Sequence, residues 1–283
     1  MPSATLLGQS LVSGVLTGAL YGLLGLGLSL SWGYLRLINL AHFALAFLGA
    51  YLTYQLVGVV GLHPALAVAV ILPAFFALGV AMQLVFAHFR VGEFASLLVT
   101  FGITVIFESG IQWFWTADYR RLELGHSAPS FKLGPLYVPY VETGMLITAV
   151  ALSLLTWAWL RFTYAGKAMR ASAEDPDIAA AFGVDHRRLA LSLSGAAAAY
   201  AGVAGAFIAM IYTLTPAQIF AWMGVVFAVV ILGRLGNPLG ALLAGLAVGV
   251  SEAVTMALTA PSWAPLVSFT LLILVLVLRP GRV

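Results

Sequence analysis

The chain has 283 residues, of which 62% are hydrophobic and 8% charged. A soluble domain carries about 25% charged residues, so a water-facing globular fold is excluded. The net charge of +3 rests on too few ionisable groups to mark a nucleic-acid binder, and the lack of cysteine excludes disulfides, thiolate nucleophiles and cysteine-ligated metals.

Apolar runs fall at 9–31, 34–57, 65–88, 94–116, 142–164, 189–213, 219–233, 239–258 and 265–279. Crossing roughly 30 Å of hydrocarbon takes about 20 residues in a helix, and the run at 219–233 is short for that. The pattern predicts an all-α integral membrane protein, a bundle of eight or nine transmembrane helices forming one domain over 1–283. The N-terminal "MPSATLLGQS" lacks a basic stretch and its apolar run exceeds a signal-peptide core, so it reads as a retained span.

Turn residues separate the runs: "GLHP" at 61–64, "RVGE" at 90–93, "RLGNP" at 234–238 and "APSWAP" at 260–265. Only the connections at about 117–141 and 165–188 are long. Lys and Arg concentrate in cytoplasmic loops. With the C-terminal "RPGRV" inside and nine spans alternating, Arg90, Arg161, Lys167, Arg170, Arg187, Arg188, Arg279 and Arg282 fall inside, against Arg120, Arg121 and Lys132 outside. That puts loop 165–188 in the cytoplasm, with loop 117–141 and the N-terminus on the outer face.

Small residues let membrane helices approach closely. Gly14, Gly18 and Gly22 recur at spacing four, as do Ala197, Ala201 and Gly205, and both series predict packing faces. Segments 9–51 and 189–233 each run from a small-residue helix through a polar break into another helix. This is the pattern of an internal repeat.

Polar residues inside apolar runs are costly and face a bundle interior or water. In "GYLRLINLAH", spacing three puts Arg36, Asn39 and His42 along one side of a helix if the segment is helical. Arg36 reads as reaching the headgroups. Two readings stand for Asn39 and His42: satisfying neighbouring backbone, or lining a translocation path. Glu108 and Glu252 carry the same alternatives, either hydrogen-bonded to a neighbouring helix or lining a hydrated pathway. Arg234, in "LGRLGNPLG", sits at a tight turn where it would meet a headgroup or a partner.

The loop "GKAMRASAEDPDIAAAFGVDHRR" is more legible. Asp175 can cap a helix that begins at Pro176, with Asp177 favourable in its first turn and Gly183 ending it. Ile178 and Phe182, four apart, then form an apolar ridge fit for docking, or for resting on lipid headgroups.

Enzyme signatures are missing. Gly166-Lys167 is followed by Ala168 and lacks the upstream glycine of a phosphate-binding loop, and neither H-E-x-x-H nor G-x-S-x-G occurs. No catalytic residue and no metal site is predicted.

Four stretches, in order, resemble the LivH-type permease family of branched-chain amino acid importers, whose relatives carry urea, short amides and carboxylates. They are "GLSLSWGYLRLINLAHFALAFLGAY", "LLVTFGITVIFESG", "GKAMRASAEDPDIAAAFGVD" and "VVILGRLGNPLGALLAGLAVGVSEA". Gly33, Asn39, Ala41 and His42 match the first motif, and Gly166, Arg170, Asp175, Ala179, Ala180 and Gly183 match the loop presented to the ATPases. Phe43, Glu108 and the turn Gly233-Arg234-Leu235-Gly236 depart from the usual pattern.

The resemblance implies a multi-pass inner-membrane subunit of an ABC importer. It would work with a homologous second permease, two ATPase subunits and a periplasmic substrate-binding protein. It would bind no cofactor itself, ATP and Mg being held by the ATPases. Asn39, His42, Phe43, Glu108 and Glu252 are then the expected translocation-pathway residues. Gly166, Arg170, Asp175, Ile178, Ala179, Phe182 and Gly183 are the expected coupling residues. The competing reading is a self-contained ion-coupled transporter or channel using Glu108, Glu252 and His42 as proton sites.

Overall fold

The computed structural model describes residues 3–123, 130–259 and 261–278. Among the described residues, nine apolar helices follow the nine apolar runs: α1 (Ala4–Leu35), α2 (Ala41–Thr53, prolonged by a π-helical turn Tyr54–Val59), α3 (Pro64–His88), α4 (Glu93–Trp115), α5 (Tyr140–Phe162), α8 (His186–Ile211), α9 (Gln218–Gly233), α10 (Pro238–Leu258) and α11 (Ala264–Leu278). Two short helices, α6 (Tyr164–Glu174) and α7 (Pro176–Ala181), fill the connection after α5. Arg279 and Arg282, used above to orient the C-terminus, lie outside the described residues.

Among the described residues, seven helices are long and apolar enough to cross a membrane, namely α1 to α5, α8 and α10. The expected eight or nine spans are therefore met by length in seven; α9 and α11 are shorter. The shortness of α9 has a structural cause. Its lead-in, 212–217, is non-helical and dips into the bundle, where Leu214 is fully buried and exchanges backbone hydrogen bonds with Arg120 (3.0 and 2.7 Å). α9 nevertheless joins opposite ends of the bundle, entering beside Arg120 and leaving toward Gly236, whose N–H bonds Ser29 at the other end.

α1 and α8 form the centre. Glycines set the spacing between α1 and α10: a Cβ on Gly18 would stand 2.5 Å from the carbonyl oxygen of Gly245, and one on Gly249 would stand 2.5 Å from the Gly18 backbone. Bulk comes from α2, whose Phe43, Phe47 and Tyr51 are fully buried in the main core. A second, smaller core of Leu30, Leu160, Met169 and Leu193 lies at the end of the bundle that carries α6.

The internal repeat expected for 9–51 and 189–233 has a counterpart in the packing. α1, a break, α2 and α3 correspond to α8, a break, α9 and α10; α1 packs chiefly on α10, and α8 on α3. The end of α1 shares a cleft with the start of α8 (Leu35 and Leu37 beside His186 and Arg187), so the two helices run oppositely and the repeat is inverted.

The sequence did not predict the hairpin β1 (Ser130–Leu133) and β2 (Leu136–Pro139) in the connection 117–141. Its strands are antiparallel and turn at Gly134, whose φ of 61° favours glycine. The Gln9 side chain exchanges hydrogen bonds with the Tyr137 backbone (2.9 and 3.0 Å), fastening the hairpin to the start of α1.

Candidate translocation and coupling site

The polar break expected within 9–51 falls in "GYLRLINLAH", so the condition that this segment be helical is not met. Arg36 takes a left-handed conformation (φ 52°) that closes α1, and 37–40 is non-helical before α2 starts at Ala41. Arg36, Asn39 and His42 therefore do not share one helix face, an arrangement that held only for a continuous helix. Buried non-helical backbone must find hydrogen bonds outside the regular ladder. Here α4 supplies them: the Ile38 N–H donates to Ser96 Oγ and the Leu40 N–H to Thr100 Oγ1, each at 3.0 Å. Thr100 Oγ1 also lies 3.0 Å from the Ile38 carbonyl, 2.7 Å from the Ser96 carbonyl of its own helix and within reach of the Leu97 carbonyl, donating its single proton to one of the three.

The five predicted pathway residues are scattered rather than brought together. Asn39 lies in the break, half-buried, and its Oδ1 is buried without a partner among the described residues. His42 points into the core, with Nε2 3.0 Å from the Leu24 carbonyl and its ring against Gly27. Phe43 is fully buried and meets Phe227 at 6.0 Å between ring centroids, so its extra bulk is absorbed by the core. Glu108 stands on α4, where Oε1 accepts from Gln112 Nε2 (3.3 Å). Glu252, buried on α10, accepts from the Tyr21 hydroxyl of α1 (2.9 Å) and from the Ser268 hydroxyl of α11. It clamps three helices together.

The predicted coupling residues do form one unit. Thr163 caps α6 by accepting from the Gly166 N–H (3.0 Å). Gly166 lies so close to α5 that a Cβ would fall 2.5 Å from the Leu160 Cα. Met169, fully buried, fixes α6 in the smaller core, and Arg170 is exposed. Asp175 Oδ1 accepts from the N–H groups of Asp177 (3.1 Å) and Ile178 (2.9 Å), the cap read from the sequence. Gly183 ends the turn at φ 81°, and the Val184 N–H bonds the carbonyl of buried Ala179 (3.1 Å). Ile178 and Phe182 are left 59% and 82% exposed, more than a tertiary contact would leave them.

Sequence reasoning missed Ser96 and Thr100, the hydroxyls that hold the break. Their signal was the four-residue spacing of Ser96, Thr100 and Thr104, all buried, along one face of an apolar helix. Also missed was Tyr34, whose hydroxyl donates to the Gly236 carbonyl (2.9 Å) and ties α1 to the α9–α10 turn. Arg234 leads that turn with φ 70°.

A multi-pass helical bundle with an inverted repeat, an unwound segment between its first two helices and a short exposed helix at one end suits a transport permease. The family described as "Branched-chain amino acid transport system / permease component" matches residues 10–276, and the chain belongs to it. It is 26% identical to the high-affinity branched-chain amino acid transport system permease protein LivH of Escherichia coli (strain K12), over 96% of this chain and 93% of that protein. It is 27% identical to LivH of Salmonella typhimurium, with the same coverage. To the corresponding permease protein BraD of Pseudomonas aeruginosa it is 24% identical, over 96% of this chain and 94% of the relative. No solved structure matches.

Proposed function

We propose that this chain is the membrane-spanning subunit of an ABC importer in the bacterial inner membrane, with its C-terminus and the α6–α7 unit cytoplasmic. Its cargo is a branched-chain amino acid or a related small polar or carboxylate solute, delivered by a periplasmic binding protein. Two ATPase subunits hold ATP and Mg and hydrolyse the nucleotide, while this chain contributes no catalytic group. The observation that carries this reading is the α7 ridge: Ile178 and Phe182 project from α7, which directly follows α6, the helix that Met169 anchors in the smaller core. A rigid apolar projection is what an ATPase groove would grip.

A homologous second permease completes the unit. Its presence is supported by α4, which packs on its own chain along Ser96, Thr100, Thr104 and Ile111. Opposite, it leaves Ser109 and Gln112 exposed beside the carboxylate of Glu108. Such groups at membrane depth require protein or water over them.

The ion-coupled reading needs Glu108, Glu252 and His42 to communicate. They lie apart, on α4, in the α1–α10–α11 clamp and between α1 and α2, each with its own local hydrogen-bond partner. Reconstitution in liposomes tests the proposal. The chain with its second permease, ATPases and leucine-loaded binding protein should take up radiolabelled leucine or hydrolyse ATP in response to the binding protein. The chain alone should take up nothing, and uptake by it under a proton gradient would overturn the proposal.

A further inference from the structure

We propose that the last turns of α1, from Leu30 to Arg36, form the link by which movement of the α6–α7 unit reaches the unwound segment 37–40, with Met169 and Arg36 as its positioning residues. This rests on the reading that α7 engages the ATPase.

Three observations lead to it. First, α6 cannot move independently. Met169 is fully buried between Leu30 of α1, Leu160 of α5 and Leu193 of α8, and Gly166 brings the α6 backbone against α5. Packed cores transmit displacement because they have no slack to absorb it. A push on Phe182 is therefore delivered to the end of α1.

Second, that end is where the helix stops. Arg36 holds a left-handed backbone conformation rarely adopted by a non-glycine residue. Its guanidinium donates to the carbonyl of Ala173, in the last turn of α6 (3.3 Å). The hinge is thus tied to α6 by a side chain as well as through the core. Two residues earlier, Tyr34 binds the Gly236 carbonyl, so the same turn also engages the α9–α10 connection.

Third, the segment beyond the hinge is suited to change state. The amides of Ile38 and Leu40 are held by the rotatable hydroxyls of Ser96 and Thr100 rather than by a helical ladder. Thr100 already has three carbonyls, those of Ile38, Ser96 and Leu97, within reach of its one proton. Shifting the segment exchanges partners without melting a helix. It carries Asn39, whose buried Oδ1 lacks a partner in this arrangement among the described residues. Coupling needs a physical element whose state both ends bias, and 36–40 meets that description.

The test uses the assembled transporter and needs no knowledge of the cargo. This chain has no cysteine, so Asn39→Cys gives it one thiol, and its modification by a methanethiosulfonate reagent is followed by mass spectrometry of this subunit. The expected rates in nucleotide-free and vanadate-trapped complexes differ by about 3-fold or more, the size of change that such couplings support. Arg36→Gly, which keeps the left-handed turn and removes the guanidinium, should bring the two rates together, as should Met169→Ala. Arg36→Lys should restore part of the difference, which a purely structural role would not predict.

Equal rates in the Asn39→Cys parent would overturn the inference, and so would a difference that survives both Arg36→Gly and Met169→Ala. Failure of the underlying reading shows separately. It would appear as an ATPase that still assembles on, and is still stimulated through, a Phe182→Ala chain.

Discussion

Thr100→Val is the sharpest probe of the broken segment, because the substitution preserves shape and removes only the hydroxyl. Thr100 and Thr104 are both 0% exposed on the same face of α4, so their surroundings are matched. Thr104 Oγ1 donates only to the Thr100 carbonyl (2.8 Å), a bond within the helix to an oxygen the backbone already serves. Thr100 Oγ1 is instead the sole acceptor for the Leu40 N–H among the described residues, and a donor within reach of Ile38 O. Orphaning a buried amide costs about 1–3 kcal/mol, while side-chain hydrogen bonds in membrane proteins average about 0.6 kcal/mol. We expect Thr100→Val to lose about 1–2 kcal/mol, and Thr104→Val no more than about 0.6 kcal/mol. SDS titration of the purified chain in mixed micelles, followed by circular dichroism, measures both. Equal losses for the two valines would refute the claim that α4 hydroxyls hold the break.

The remaining predictions use the same chain or the assembled complex. Gly249→Ala should destabilise by about 1–3 kcal/mol, the usual range for overpacking, because its methyl would meet the Gly18 backbone at 2.5 Å. Gly102→Ala, with nothing within 4 Å of the new methyl, should instead gain up to about 1 kcal/mol from helix propensity; thermal midpoints in detergent decide the opposite signs. Glu252→Leu strands the Tyr21 and Ser268 hydroxyls and should lower the SDS midpoint well below that of Glu252→Gln, which keeps an acceptor. Matching midpoints would remove Glu252 from its role as a clamp. Phe182→Ala should cost about 2 kcal/mol or more of ATPase docking and abolish binding-protein-stimulated hydrolysis. Arg187→Ala should do little, and assembly assays that rank the two the other way would count against α7.

What the sequence disclosed divides according to how far each signal reaches. The α7 unit was legible because each of its determinants is local. Asp175 caps the two amides just beyond Pro176, and Gly183 supplies the positive φ that ends the turn. The packing glycines were legible for a similar reason, since spacing four is a property of one helix. Which helix each series meets was not: that Gly18 faces Gly245 depends on two segments far apart in sequence. The hairpin at 130–139 went unseen because its strands are four residues each and their anchor is Gln9, at the far end of the chain.

The pathway residues were less legible, because intramembrane polarity has two physical causes that look alike in one dimension. A polar side chain can face a path, or it can repair a backbone or neutralise another polar group. Glu252 is answered by Tyr21 and Ser268, and His42 Nε2 lies within hydrogen-bond distance of Leu24 O. Neither answer could be read without knowing which helices adjoin. Asn39 differs, since its Oδ1 is buried and unanswered among the described residues. A polar break within 9–51 was expected, but its exact place and its cause were hidden, because Arg36-Leu37-Ile38-Asn39-Leu40 contains neither glycine nor proline. Nothing local forbids a helix there. The alternative conformation is stabilised from outside, by hydroxyls some sixty positions later (Ser96 and Thr100 to Ile38 and Leu40). A hydroxyl stripe in an apolar helix is therefore as informative about the segment it faces as about its own helix. Had Ser96, Thr100 and Thr104 been weighed as donors and acceptors in search of non-helical backbone, the break would have been the natural place to look.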